Sequence, residues 1–239
     1  MQVGIFVGYN SINVAKGETL AVGVQFENVA NPDAGIPIKS VVKVGTPSSS
    51  ASCDLAADQI WVYTGYDWIK YYYYKASRSL NYWCQDGDAT HTELTDDKVL
   101  KAGQTFFFVR ANTSASTITL AGGVVPLAST KVYNVAKGET VAMAWPWPDA
   151  MKINKFHTYV GSPSSSASCD LAADQIWVYT GYDWIKYYYY KASRSLNYWC
   201  VNGDAEHKEL TDDKVIPCGS GFFFVRANTT ATTVSFKRD

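Results

Sequence analysis

The sequence predicts an all-β protein made of two tandem, homologous antiparallel β-sandwich domains, jelly-roll or immunoglobulin-like in kind. Residues 47–84 recur as residues 163–200, with all 38 positions identical. Short runs that alternate as β-strands do are separated by frequent turn residues, and no amphipathic helical window of ten or more residues occurs. A chain of 239 residues is long enough for two such domains, each able to bury a core.

The duplication extends beyond the identical block and predicts the domain boundaries. Two flanking segments also recur, residues 13–19 as 134–140 and residues 106–112 as 222–228. The expected domains are therefore 1–121 and 122–239. The copies differ most at 25–40 and 145–157, and we expect these segments to make the two domains differ from each other as interaction partners.

Each copy divides into short strands joined by turns. In the first copy we expect strands at 12–14, 19–24, 59–64, 66–75, 80–85, 106–110 and 117–120. The turn at 15–18 predicts a hairpin between the first two strands. Asp86-Gly87 becomes Asn202-Gly203 in the second copy, and both pairs favour the tight type I′ turn, so a second hairpin is predicted there.

The strand at 66–75 is aromatic on both faces, whereas a half-buried strand alternates apolar with polar residues. Three interpretations are open: a central strand covered on both sides, a flat face that stacks on sugar rings, and a protein–protein interface, where Tyr and Trp are frequent hot-spot residues. The candidate aromatic face comprises Trp61, Tyr63, Tyr66, Trp68, Tyr72 and Tyr74, repeated as Trp177, Tyr179, Tyr182, Trp184, Tyr188 and Tyr190.

Four of the five cysteines belong to the repeated block. Cys53 and Cys84 recur as Cys169 and Cys200. One disulfide in each domain is the simplest pairing and would require an oxidising compartment. The alternative is four buried free thiols. Cys218 is unpaired, and it either links chains or fills space as a small apolar residue.

The sequence contains no recognisable catalytic or metal-binding constellation, and we expect no cofactor and no metal. His91 and His207 each precede a glutamate by two residues, which by itself is typical of a solvated strand. The paired acids at 96–97 and 212–213 are adjacent, so on a strand they would face opposite ways and could not work as a general acid and base. His157 has no counterpart in the first copy.

Charge and composition limit the classes of partner. The net charge of −1 argues against a nucleic-acid-binding surface. No run of 18 apolar residues occurs, so no transmembrane segment is expected. The first ten residues lack the features of a signal peptide, so we expect either that the protein stays inside the cell or that this is a mature or trimmed form. The richness in Tyr, Ser, Thr, Asn and Gly favours an extracellular or cell-surface location.

One combination of motifs resembles a known pattern. Gly65-Tyr66 is followed by the tyrosines at 71–74 and by Trp83, and residues 219–226 read GSGFFFVR. This combination resembles secreted or surface-located bacterial all-β proteins of unassigned function. The first copy departs from the pattern at Thr105, where the second copy has Gly221. The resemblance implies a fold class and a location but no site.

The sequence favours a non-enzymatic extracellular structural protein that assembles with itself into a fibre or surface layer. Aromatic faces and edge strands would make the contacts, with residues 2–7 and 233–236 as candidates for crossing between subunits. The alternative is a tandem carbohydrate-binding module or lectin, in which glycans stack on the aromatic face. Polar side chains that could converge on a sugar are Asp67, Arg78 and Asn81, repeated as Asp183, Arg194 and Asn197.

Overall fold

A computed structural model describes residues 7–41, 45–50, 55–111, 113–156, 161–166 and 172–238. The strands of the first copy are β1 (Val7–Val14), β2 (Thr19–Gly23), β3 (Phe26–Glu27), β4 (Ile36–Pro37), β5 (Gln59–Tyr63), β6 (Trp68–Lys75), β7 (Asn81–Gln85), β8 (Val99–Leu100), β9 (Thr105–Val109) and β10 (Ser116–Val124). Those of the second copy are β11 (Thr130–Val135), β12 (Thr140–Ala144), β13 (Met151–Lys152), β14 (Gln175–Tyr179), β15 (Trp184–Lys191), β16 (Asn197–Val201), β17 (Val215–Ile216), β18 (Gly221–Val225) and β19 (Thr232–Lys237). Helical structure is limited, within these ranges, to the short helix α1 (Ile38–Val41) and two 3₁₀ turns, Pro32–Ala34 and Ile153–Lys155.

Strand pairing follows the duplication, and the all-β prediction is confirmed. The first copy has a five-stranded antiparallel sheet in the order β2-β9-β5-β6-β7, and the second has its counterpart β12-β18-β14-β15-β16. Smaller sheets accompany them: β1-β10-β3 and β4-β8 in the first copy, and β11-β19 and β13-β17 in the second. The arrangement is consistent with β-sandwiches.

In each copy the five-stranded sheet and the small sheet that contains the first strand share a hydrophobic core. In the first copy the core joins Ile60, Trp83, Phe106 and Phe108 of the large sheet to Val14, Ile118 and Leu120 of the small one. In the second it joins Ile176, Trp199, Phe222 and Phe224 to Val135, Val234 and Phe236. Burial of these large apolar side chains is the main stabilising contribution to each copy.

A buried ion pair ties the central strands of each copy to the segment that follows β9 or β18. The Asp58 carboxylate accepts hydrogen bonds from the Arg110 guanidinium and, at 2.8 Å, from the Ala111 amide. Asp174 and Arg226 repeat the pair in the second copy, 2.6 Å apart. All four charged side chains are almost fully buried, so each carboxylate needs its hydrogen-bond donors to offset the loss of contact with water.

Both predicted hairpins are wrong, although both turns form. The Glu18 amide donates to the Ala15 carbonyl at 3.1 Å, but β1 then pairs with β10 while β2 pairs with β9, so this turn is a corner between two sheets. After the Asp86-Gly87 turn the chain does not return as a strand. The Leu94 amide instead donates to the Trp83 carbonyl at 2.9 Å, so an irregular segment covers this edge of β7.

The expected domain boundary falls inside a strand. β10 runs from Ser116 to Val124 and pairs with β1 as far as Gly123. The next strand, β11, begins at Thr130, which leaves residues 125–129 as the connection between the copies. No helix in the described part of the chain is long and apolar enough to cross a membrane.

Candidate functional site

The two five-stranded sheets present aromatic side chains to each other. Side chains alternate along a strand, so Phe107 faces away from the core that holds Phe106 and Phe108. Phe223 of β18 does the same in the second copy. The two rings meet with their centroids 6.0 Å apart. We call the cluster around these two phenylalanines the aromatic interface; its other aromatic members are Trp61, Tyr63, Trp68, Trp177, Tyr179 and Trp184.

Contacts across the aromatic interface are reciprocal, because each phenylalanine packs on a Tyr and a Trp of the other copy. Phe107 packs on Tyr179 (5.4 Å between ring centroids) and Trp184 (6.0 Å), and Phe223 packs on Tyr63 (5.2 Å) and Trp68 (6.0 Å). A surface that meets its own equivalent in this way is the mark of a two-fold axis. The two copies therefore face each other as subunits of a symmetric dimer do, within one chain.

Backbone hydrogen bonds repeat the same symmetry. The Gly23 amide donates to the Gly219 carbonyl, and the Ala144 amide donates to the Gly103 carbonyl, both at 2.7 Å. Gly23 and Ala144 are equivalent positions in the two copies, as are Gly103 and Gly219. The copies are thus joined by polar as well as aromatic contacts.

Two pairs of equivalent residues touch each other near the axis, and in each pair one residue is glycine. A Cβ on Gly221 would overlap the side chain of its equivalent, Thr105, whose hydroxyl donates to the Met143 carbonyl. A Cβ on Gly23 would lie 2.7 Å from the Cβ of its equivalent, Ala144, which is too close for two carbon atoms. The interface therefore fits two unlike copies better than two identical ones.

Half of the candidate aromatic face lies in this interface. Trp61, Tyr63, Trp68, Trp177, Tyr179 and Trp184 are half-buried against it. The ammonium groups of Lys70 and Lys186 lie over the rings of Trp61 and Trp177 at 4.3 and 4.1 Å, within range of cation–π attraction. These rings are occupied by the protein itself, so they are not a free platform for sugars.

The other predicted aromatics lie elsewhere. Tyr72 is fully buried and its hydroxyl is hydrogen-bonded to His91 Nδ1 at 2.8 Å, while the Tyr74 ring stacks on the same imidazole. Tyr188, Tyr190 and His207 repeat this cluster. Both histidines have a positive φ, near 50°, which is uncommon for a residue other than glycine. The sequence predicted that His91 lies on a solvated strand, and it did not predict the packing of His91 against Tyr72 and Tyr74.

Tyr66 and Tyr182 are the two predicted aromatics that face solvent. They are 90% and 96% exposed, in the turns that join β5 to β6 and β14 to β15. The candidate face is therefore divided among an interface, a buried tyrosine–histidine cluster and two exposed turn tips.

The described cysteines are free thiols. Cys84 and Cys200 are buried, and each thiol donates to the carbonyl of the nearby histidine, His91 at 3.2 Å and His207 at 3.3 Å. Burial raises the pKa of both thiols to about 12. No disulfide is present among the described residues, and the expected partners Cys53 and Cys169 lie outside them. For Cys84 and Cys200 the structure matches the alternative of buried thiols.

Cys218 and the segments that differ between the copies meet at the same place. Gln25 is buried and its amide donates to the Trp147 carbonyl at 2.8 Å and to the Cys218 sulfur at 3.1 Å. Glu27 forms an ion pair of 2.5 Å with Lys131. The divergent segments therefore contact the other copy of the same chain, which the sequence alone did not indicate.

Within the described residues, no group of three or more His, Cys, Asp or Glu side chains is placed to hold a metal ion. His157 lies outside those residues. Comparison with models of known families, with curated proteins and with solved structures finds no match to this chain. Its geometry defines a class in physical terms, an all-β chain whose two copies associate through an aromatic, approximately two-fold interface.

Proposed function

We propose that this chain is a non-enzymatic structural subunit, outside the cell or at its surface, that assembles with copies of itself into a fibre or layer. The observation that supports the proposal best is the edge strand β1. It has eight residues and pairs with β10 alone among the described strands. The aromatic faces, which the sequence favoured as contacts, are largely used inside the chain, so edge strands carry the proposed assembly.

β1 lacks the features that normally prevent strands from joining between molecules. Natural edge strands are often interrupted by proline, carry charged side chains or are very short. β1 reads VGYNSINV, with no proline and no charge, and is the longest edge strand in the described sheets. Its equivalent in the second copy, β11, is shorter and carries Lys131. β1 is therefore the better acceptor for a strand from another molecule.

The outer face of the β1–β10 pair is also uncharged. Val7 and Tyr9 are 67% and 77% exposed. The other exposed side chains of this face are Ser11, Asn13, Thr117, Thr119 and Ala121. Such a face can pack on a neighbour without removing charges from water.

We further infer that the copies are two tandem, homologous sandwich domains joined by residues 125–129. The support is the separate core of each copy and the pairing of its strands with one another. Two domains held by a symmetric interface would act as one building block. If β1 accepts a different edge strand of the next molecule, the contact is heterologous and repeats into an open polymer.

The test is the size of the protein in solution and by electron microscopy, as a function of concentration. We expect assemblies that grow with concentration, and we expect the double variant Tyr9→Lys, Asn13→Lys to abolish them through charge on the edge. The matched control is Thr130→Lys, Asn134→Lys on β11, at the equivalent positions, which should still assemble. A wild-type chain that remains monomeric at high concentration would refute the proposal.

A further inference from the structure

A cleft of about 550 Å³ lies between the two copies, beside the aromatic interface. The first copy supplies one wall from Tyr63 at the end of β5, from residues 64–65 of the following turn, and from Val99, Lys101, Ala102 and Gln104. The second copy supplies the facing wall from residues 131–133 of β11 and 139–142 at the start of β12. The volume is in the range of sites for small ligands.

The polar groups of the cleft differ in hydrogen-bonding character. Lys101 on one wall can only donate, and it forms no ion pair within the described residues. Glu139 on the other wall can only accept when ionised. Gln104 can do both. Lys131 also lines the cleft, but its charge is balanced by Glu27 at 2.5 Å. A ligand that contacts both walls can therefore accept a hydrogen bond from one and donate to the other.

Apolar surface is held rigidly next to these groups. The Tyr63 hydroxyl donates to the Gly65 carbonyl at 2.7 Å, and the Tyr133 hydroxyl donates to the Gly103 carbonyl at 2.8 Å. Burial raises the pKa of both tyrosines, and for Tyr63 the nearby charge of Glu139 adds to the effect. Both phenols therefore remain neutral. Val132, 58% exposed, adds aliphatic surface.

We propose that this cleft binds a neutral saccharide. Sugar hydroxyls donate to a carboxylate and accept from an ammonium or amide group with equal ease, so one ring can satisfy both walls. The C–H face of the ring would pack on the side chains of Val132 and Tyr133, which line the cleft outside the aromatic interface. The proposal places glycan recognition between the copies rather than on the aromatic interface, and it does not depend on self-assembly.

The symmetry of the molecule supplies an internal comparison. The equivalent cleft on the other side of the axis would keep the turn at 179–181 and Glu18. It would have Pro217 in place of Lys101, Ser220 in place of Gln104, and Asn10 in place of Lys131. The second cleft therefore lacks the Lys101 ammonium, because proline has no side-chain donor. We expect one saccharide site for each chain.

The test is saturation-transfer NMR of the full chain with the neutral disaccharides cellobiose, maltose, lactose and diacetylchitobiose. At least one should show transfer at millimolar concentration, and titration should give one site per chain. Lys101→Ala should weaken that binding about tenfold, because a hydrogen bond from a charged donor is lost. Pro217→Ala, at the equivalent position, should not change the affinity.

A second pair of variants separates the two clefts without touching the core. Gln104 lines the cleft and its equivalent is Ser220, so Gln104→Ala should weaken binding while Ser220→Ala should leave it unchanged. Thermal unfolding of each variant shows that the fold is intact. Absence of transfer from every disaccharide would overturn the proposal. Equal losses from the Lys101 and Pro217 variants, or from the Gln104 and Ser220 variants, would overturn it as well.

Discussion

Thr105 and Gly221 occupy equivalent positions in the two copies and lie against each other across the aromatic interface. The threonine hydroxyl donates to the Met143 carbonyl, and the glycine leaves the space that the threonine methyl fills. One of the two positions must therefore be glycine, but the symmetry does not require that it be the second.

Gly221→Thr should lower the free energy of unfolding by about 1–3 kcal/mol, because two side chains would compete for one space. Urea denaturation followed by tryptophan fluorescence measures the change. The double variant Thr105→Gly, Gly221→Thr should recover most of the loss, since it moves the side chain to the equivalent place. A double variant as unstable as the single one would show that the two positions are not related by the proposed axis.

Trp68→Ala and Trp184→Ala should each lower the free energy of unfolding by about 3 kcal/mol, because each removes a large ring from the interface. Tyr66→Ala removes a ring that is 90% exposed and should change stability by less than about 0.5 kcal/mol. Chemical denaturation of the three variants in parallel makes the comparison. Similar losses for Trp68 and Tyr66 would contradict the division of the aromatic residues described above.

Arg110→Ala should lower the free energy of unfolding by about 3–5 kcal/mol, because it leaves the Asp58 carboxylate buried without its partner. Arg226→Ala should have the same effect on Asp174. Lys208→Ala serves as the control, since it removes an ion pair with Glu206 that is exposed to solvent. The urea concentration at the midpoint of unfolding measures the stability of each variant. Arginine variants with the same midpoint as this control would contradict the prediction.

Cys84 and Cys200 should resist alkylation by iodoacetamide at pH 8 in the folded protein, while the exposed Cys218 reacts. The reactive form is the thiolate, and burial raises the pKa of the first two thiols to about 12. Peptide mapping by mass spectrometry gives the rate at each position. Labelling of Cys84 as fast as that of Cys218 would contradict the buried environment.

The same thiols predict a loss of stability at alkaline pH. Their pKa in the folded state lies above the unfolded value of about 8.5, so the unfolded chain releases protons first as the pH rises. The stabilisation is complete below about pH 8.5 and is lost progressively towards pH 12. Urea midpoints measured across this range should fall, and the variant Cys84→Ala, Cys200→Ala should fall less steeply. An equal slope for both proteins would contradict this origin.

Local patterns in the sequence were sufficient to locate most strands. The alternation at 59–64 and the aromatic run at 66–75 became β5 and β6, because side-chain period is a property of a single strand. The turns at 15–18 and 86–87 also formed, but the pairing that follows a turn depends on distant strands. Turn chemistry reverses the chain locally and does not choose the partner, so both hairpins were predicted wrongly.

The candidate site was less predictable for a similar reason. Trp68 and Tyr72 share one face of β6, and the sequence therefore placed them in one surface. In the structure the other copy covers Trp68, while the loop that carries His91 covers Tyr72. Tertiary packing determines which end of a strand is covered and which segment covers it. Local sequence patterns do not contain this information. The sequence shows that Thr105 is replaced by Gly221 in the second copy. That the two residues contact each other follows only from the two-fold arrangement of the copies.

In a dimer of identical chains one codon specifies both residues that meet on the axis, so any change is imposed on both at once. Fusion of the two copies into one chain removes that restriction, because two codons then encode the two halves of each contact. Thr105 opposite Gly221, and Ala144 opposite Gly23, are combinations that a dimer of identical chains could not hold. Once such pairs accumulate, a return to separate identical subunits would require several simultaneous reversals.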